Sequence, residues 1–203
     1  DGWDDSFSGY TGVYAVYHGI LGHTIEIPEG NEESYKAGRN AVLGGIDFLN
    51  QDPDRLLEMR LNFYLRGLNK TEDPKAENEL VGPNGEIVGR VKNGRPKFFP
   101  DYYVIPMSLD KDNDAQEAFN MIDYFKRNGV LVKELKEDIG NYKKGDLVID
   151  MAQAKRGYAN HILYKGSNES AWAAMYAELL VNFPDMRGFK SEPVFADGLF
   201  NGN

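Results

Sequence analysis

His23 and Glu26 are the side chains whose types and spacing could do chemistry. They lie in the run Gly22-His23-Thr24-Ile25-Glu26-Ile27-Pro28. Val13, Val16, Ile20 and Leu21 form an apolar approach to it, and the alternation within the run predicts a short strand. A carboxylate between Ile25 and Ile27 on such a strand would sit in partly apolar surroundings. Desolvation there raises a carboxyl pKa toward the working range of a general acid or base. Glu26 is therefore a candidate base for activating water, a candidate metal ligand, or a strand carboxylate paired with a lysine or arginine.

His23-x-x-Glu26 together with the distant His161 offers a second chemistry. Two histidines and one glutamate can hold a catalytic zinc with a fourth position left for water. Residues three apart on a strand point to opposite faces, so a bend would be needed to converge them. His18 reads as a packed or partly exposed histidine. Tyr10, in the Gly-rich turn before the Glu26 strand, is either a lid-like aromatic or a surface turn residue. Ser6, Ser8 and Ser34 lack a Gly-x-Ser-x-Gly context, and the chain has no cysteine, so nucleophilic catalysis by either residue type has no sequence support. Gly82-Pro83-Asn84-Gly85 and Asn93-Gly94 read as hairpin turns, not phosphate loops. The acidic run Asp110 to Asp114 lacks the glycine and closing glutamate of an EF-hand and reads as a helix start capped by Asn113 or Asp114. Asn69-Lys70-Thr71 is a glycosylation sequon, meaningful only in a eukaryotic secretory setting.

The elements that must position these residues follow from the pattern. Asn31 to Asn50 predicts a helix, with Asn31 as its cap and Glu32 and Glu33 where the helix dipole favours negative charge. Pro53 opens a second helix that ends near Gly67. The polar stretch 69–79, with Pro74, is the best linker. Beyond it, strands are expected at Asp101–Met107, Val130–Leu135 and Leu147–Met151. A helix carrying Ala115, Ala118, Phe119, Ile122 and Phe125 ends at Asn128-Gly129, and another helical face runs from Trp172 to Phe183 and is closed by Pro184. Strands separated by single helices predict a parallel sheet covered by helices.

Composition bounds the class. The chain has 203 residues, of which 41% are hydrophobic and 12% aromatic, enough for one large or two small domains with a true core. A net charge of −9 argues against nucleic-acid binding, which needs a basic face. No apolar run is long enough to span a bilayer. The chain begins at Asp1 without a signal-peptide pattern, so a processed product or an excised piece is expected.

The run Gly22 to Pro28, with its apolar approach and the long helix after it, resembles the last catalytic strand of zinc carboxypeptidases of the carboxypeptidase A type. The resemblance implies that Glu26 is the general base that deprotonates a zinc-bound water, and that the helix Glu32–Asn50 closes the family's α/β domain. It also implies a substrate-capping tyrosine upstream, for which Tyr10 is the nearest match. The family's zinc ligands and its substrate-carboxylate arginines precede this strand, so the zinc would be held outside this chain. The second half resembles a class I glutamine amidotransferase-like domain through Tyr103-Val104-Ile105-Pro106, Asn128-Gly129-Val130 and Gly145-Asp146-Leu147-Val148-Ile149 leading to Met151-Ala152-Gln153-Ala154. Without a cysteine, this implies a fold and not glutamine hydrolysis.

The expected fold class is therefore α/β: residues 1–70 as the tail of a carboxypeptidase-type domain, 71–79 as a linker, and 80–203 as a small parallel-sheet, flavodoxin-like domain. The expected function is that of a C-terminal fragment of a zinc metallocarboxypeptidase, inactive alone, with a peptide substrate and the N-terminal peptidase portion as partners. The family resemblance favours a secreted or cell-surface location. The alternatives are a non-catalytic interaction module and a self-contained metal site of His23, Glu26 and His161.

Overall fold

The computed structural model describes residues 8–72, 79–81, 87–90, 97–109, 113–164 and 183–202. The expected turns at 82–85 and 93–94, the acidic residues 110–112, most of the linker and the helical face from Trp172 to Leu180 lie outside these residues.

Three helices make up the described part of the first half. Helix α1 spans Thr11–Tyr17, α2 spans Glu32–Gln51 and α3 spans Pro53–Leu68. The caps are those the sequence dictates. The Asn31 side chain accepts from the Ser34 amide at 2.9 Å, and Asp52 accepts from the Arg55 amide at 3.0 Å. Each satisfies an amide that the first turn leaves without a partner. Pro53 stands at the first position of α3, where its missing N–H costs nothing. Helix α1 replaces part of the loop and apolar segment expected ahead of residue 22.

The second half begins with strands β1 (Glu79–Val81) and β2 (Ile87–Arg90), an antiparallel pair of their own. The main sheet contains β3 (Tyr102–Ile105), β4 (Lys133–Glu134), β5 (Leu147–Asp150) and β6 (Glu192–Val194) in the order β4-β5-β3-β6. Helices α4 (Ala115–Arg127), α5 (Arg156–Leu163) and α6 (Phe183–Arg187) accompany it among the described residues. Asp114 caps α4 by accepting from the amides of Gln116 and Glu117 at 2.9 and 3.1 Å. Gly129, at φ +73°, ends it in the left-handed conformation that glycine adopts without strain. Pro184 lies within α6, and the expected helical face ahead of it falls outside the described residues up to Phe183.

The sheet corrects the expected parallel, flavodoxin-like topology: every described pairing in it is antiparallel. The reason is specific. Strands β3 and β4 do run in the same direction across α4, as a strand–helix–strand unit should, because each is antiparallel to β5. The turn between β4 and β5, bridged at Ile139–Tyr142 and relieved by Gly140 and Gly145 at positive φ, sends β5 back between them. A helix between two strands fixes their relative direction, not their adjacency. The expected strand Val130–Leu135 shortens to β4, since only its C-terminal part, Lys133 and Glu134, pairs with β5.

Both faces of the sheet are covered. Tyr103 and Ile105 of β3 and Ile149 of β5 pack with Met121 and Phe125 of α4 and with Tyr158, Ile162 and Leu163 of α5. Tyr102, Val104 and Val148 point the other way, against Leu135, Val194 and Phe200. The period of two along β3 produces this division. The first half joins this body through α1 and α3, which the Tyr64 hydroxyl ties together by donating to the His18 carbonyl at 2.8 Å. The Tyr14 hydroxyl of α1 donates to Asn128 at 2.8 Å, Lys155 lies 5.1 Å from the centre of the Tyr64 ring, and Lys70, just after α3, pairs with the buried Asp101 at 3.4 Å and with Asp197.

Candidate functional site

Glu26 lies on an extended segment, residues 21–28, between α1 and α2. That segment is not the expected strand: no ladder pairs with it among the described residues. It is held by backbone packing instead. A Cβ on Gly22 would overlap the Gly12 carbonyl oxygen, and a Cβ on Gly12 would lie 3.2 Å from the His23 backbone. The two glycines therefore let the start of α1 and the extended segment touch main chain to main chain. At its far end, the Ser34 hydroxyl donates to the Pro28 carbonyl at 2.8 Å and ties the segment to the first turn of α2. A Cβ on Gly38 would stand 3.4 Å from the Ile27 Cδ1, so Ile27 lies over α2. Glu26, one residue away on an extended backbone, points elsewhere.

Glu26 is exposed, and among the described residues it makes no hydrogen bond or ion pair. The partly apolar surroundings expected for it are not formed by the described residues, since Ile25 is itself exposed. His23 is exposed as well. Tyr10 is half-buried at the N-cap of α1, where its carbonyl accepts from the Tyr14 amide at 2.9 Å. The Gly12–Gly22 contact brings the segments bearing Tyr10 and Glu26 together, two residues from the one and four from the other. What this arrangement offers chemically is a carboxylate with free acceptor positions on a segment fixed at both ends.

His161 goes elsewhere. Its Nε2 is 2.9 Å from the Ser8 hydroxyl, its Nδ1 is 3.2 Å from the Tyr17 hydroxyl, and its ring stacks on Tyr17 at 4.4 Å. Burial between α1 and α5 lowers its pKa to about 4 and pushes that of Tyr17 up to about 12. Both groups are therefore neutral at physiological pH, and both imidazole nitrogens are engaged. No three His, Asp or Glu side chains among the described residues converge on a point that could hold a metal ion, and His23, Glu26 and His161 are not brought together. The Ser8–His161 contact was invisible in the sequence, because the two are 153 positions apart.

His18 is packed. Its Nδ1 is 3.0 Å from the Tyr14 carbonyl, its ring stacks on Tyr14 at 4.2 Å, and Tyr158 meets it edge-on at 4.9 Å. Its Nε2 is buried without a partner, and desolvation lowers its pKa. The tyrosine side of this seam continues through the Tyr124–Tyr158 hydroxyl contact at 2.6 Å. No helix among the described residues is long and apolar enough to cross a membrane.

No family model matches the chain, and no curated protein or solved structure matches it. The fold defines its class directly: a mixed α/β protein in which a helical N-terminal part is docked on a unit with a small antiparallel sheet.

Proposed function

We propose that residues 1–70 are the closing part of a carboxypeptidase A-type metallopeptidase domain, with Glu26 as its general base and Tyr10 beside the substrate, and that residues 80–203 are an accessory α/β unit without catalytic groups. One observation carries this reading. Helix α2 is 20 residues long, has an apolar face with Val42, Ile46 and Leu49 on it, and buries none of its residues. A helix patterned in this way is stable when its apolar stripe is covered. The neighbouring segment 21–28 is extended yet has no ladder among the described residues. Both features fit elements whose sheet and core belong to a larger domain.

On this reading the substrate is a peptide, cut at its C-terminal bond. The reading implies zinc, but the described residues do not fit that ion, for the reasons given for His161, so its ligands would lie elsewhere in the complete protein. The role left to this chain is to present Glu26 as proton acceptor. The test is release of the C-terminal residue from an N-blocked peptide by the complete gene product, beside Glu26→Gln. The expected loss in kcat is roughly 10²–10⁴-fold with KM little changed. Full activity of Glu26→Gln, or no hydrolysis by the zinc-loaded complete protein, would remove the reading. The second reading is a non-catalytic interaction module. It is favoured by the two-faced core around β3 and β5, which packs on both sides of the sheet and has no metal-holding group of His, Asp and Glu among the described residues.

A further inference from the structure

A cleft of about 410 Å³ opens between the C-terminal turn of α3 and the N-terminal turn of α5. Phe63 and Arg66 of α3 form one side, Phe98 and Phe99 ahead of β3 a second, and Arg156 at the start of α5 the floor, with Glu72 beside it. Arg156 is only 4% exposed. Its guanidinium lies 4.1 Å from the centre of the Phe99 ring, donates to the Thr71 carbonyl, and stands 3.6 Å from a Glu72 carboxylate oxygen. A guanidinium has five donors, so these contacts orient the group without exhausting it.

Arg66 is exposed at the rim, 5.8 Å from the centre of the Phe63 ring, with no carboxylate within 4.0 Å among the described residues. Its charge is close enough to oppose that of Arg156. Among the described residues, two guanidinium groups and one carboxylate line the cleft in a protein of net charge −9. An anion placed between the two arginines would relieve their repulsion, and the planar fork of arginine matches a carboxylate. The phenylalanine rings offer faces and edges for a flat apolar group. The volume falls in the range of small-molecule sites, which favour junctions between units of a fold.

We propose that this cleft binds a carboxylate attached to a flat apolar body, with the carboxylate held by Arg66 and Arg156 and the body lying against Phe63, Phe98 and Phe99. Gly157 supplies a control. Gly157 lines the cleft and a Cβ there meets nothing within 4 Å, so Gly157→Leu places its bulk at the cleft wall without a clash at the Cβ. The site is separate from Glu26 and does not depend on the peptidase reading.

The test titrates the full chain with 3-phenylpropionate, its amide and acetate, followed by calorimetry and by amide chemical shifts. The expected Kd for 3-phenylpropionate is on the order of 1 mM. The amide and acetate should each bind about tenfold more weakly, as should 3-phenylpropionate to Arg66→Ala. Gly157→Leu should abolish binding while keeping the unfolding midpoint. No saturation by about 20 mM would overturn the proposal. Equal binding of the amide or of acetate, or unchanged affinity in Arg66→Ala or Gly157→Leu, would also overturn it. Arg66 is exposed and Gly157 faces open space, so neither variant needs the fold to rearrange.

Discussion

Helices α2 and α4 carry the same kind of amphipathic pattern and meet opposite fates. Helix α4 is 13 residues long and buries Ala118, Met121 and Phe125 against the sheet. Helix α2 is longer by seven residues and buries none. Both begin with an Asx cap and an acidic first turn. The local signals that start a helix are thus equally good in both, and the difference lies in what is available to cover the stripe. An amphipathic stripe states a demand for a partner, and only the folded chain says whether the partner is present.

The sharpest way to break this comparison is to truncate an apolar side chain in each helix. Phe125 is fully buried and Ile46 is 48% exposed. Phe125→Ala should cost about 3–5 kcal/mol, the loss from a packed core with a cavity left behind. Ile46→Ala should stay within about 0.5 kcal/mol, as surface changes do. Denaturant unfolding of the two variants decides it, and similar losses would mean that α2 is covered in solution.

A smaller effect is expected where the two regions touch. A Cβ on Gly67, in the last turn of α3, would overlap the Gln153 carbonyl oxygen next to α5. Gly67→Ala should cost about 1–3 kcal/mol through forced displacement, despite alanine's better helix propensity. Hydrogen exchange should then rise in α3 and α1 while β3 and β5 stay protected. Uniform loss of protection would show one cooperative unit instead of two docked regions.

The third test is pH. Burial holds the His161 imidazole neutral, with a pKa of about 4 in the fold against about 6.5 when unfolded. The unfolded chain therefore takes up this proton first as pH falls. The stability that depends on neutral His161 is present above about pH 6.5 and is lost progressively between there and about pH 4. The groups facing it are the Tyr17 and Ser8 hydroxyls, neither of which ionises in that window. His161→Gln should flatten the acid limb of the stability profile, measured by thermal unfolding between pH 7 and 4. An unchanged slope would assign the acid sensitivity to other groups, with the half-buried His18 next in line.

How much was legible varied by element. The limits of α2, α3 and α4 were visible, because Asn31, Pro53, Asp114 and the Asn128-Gly129 stop act within a turn of themselves. Strands β3 and β5 were visible as buried apolar runs. Helix α5 was not, because Met151 to Tyr164 mixes glycine, asparagine and histidine without a clean stripe, and its residues are buried nearly all round. At the candidate site, Glu26, Tyr10 and His161 were all named, but their surroundings were not foreseen. The Gly12–Gly22 contact and the Tyr17–His161 stack join residues from different turns or different halves of the chain, and no local pattern marks them.

By itself the sequence determined where helices begin and end, which runs are apolar, and that the surface is acidic. These are properties of residues within a few positions of one another. Only the tertiary structure decided that β5 inserts between β3 and β4, that Arg156 is buried beneath phenylalanine rings while Glu26 stands in the open, and that one apolar stripe is covered and another is not. Burial and strand adjacency depend on contacts between distant segments, and the free energy of those contacts belongs to the pair and not to either segment alone.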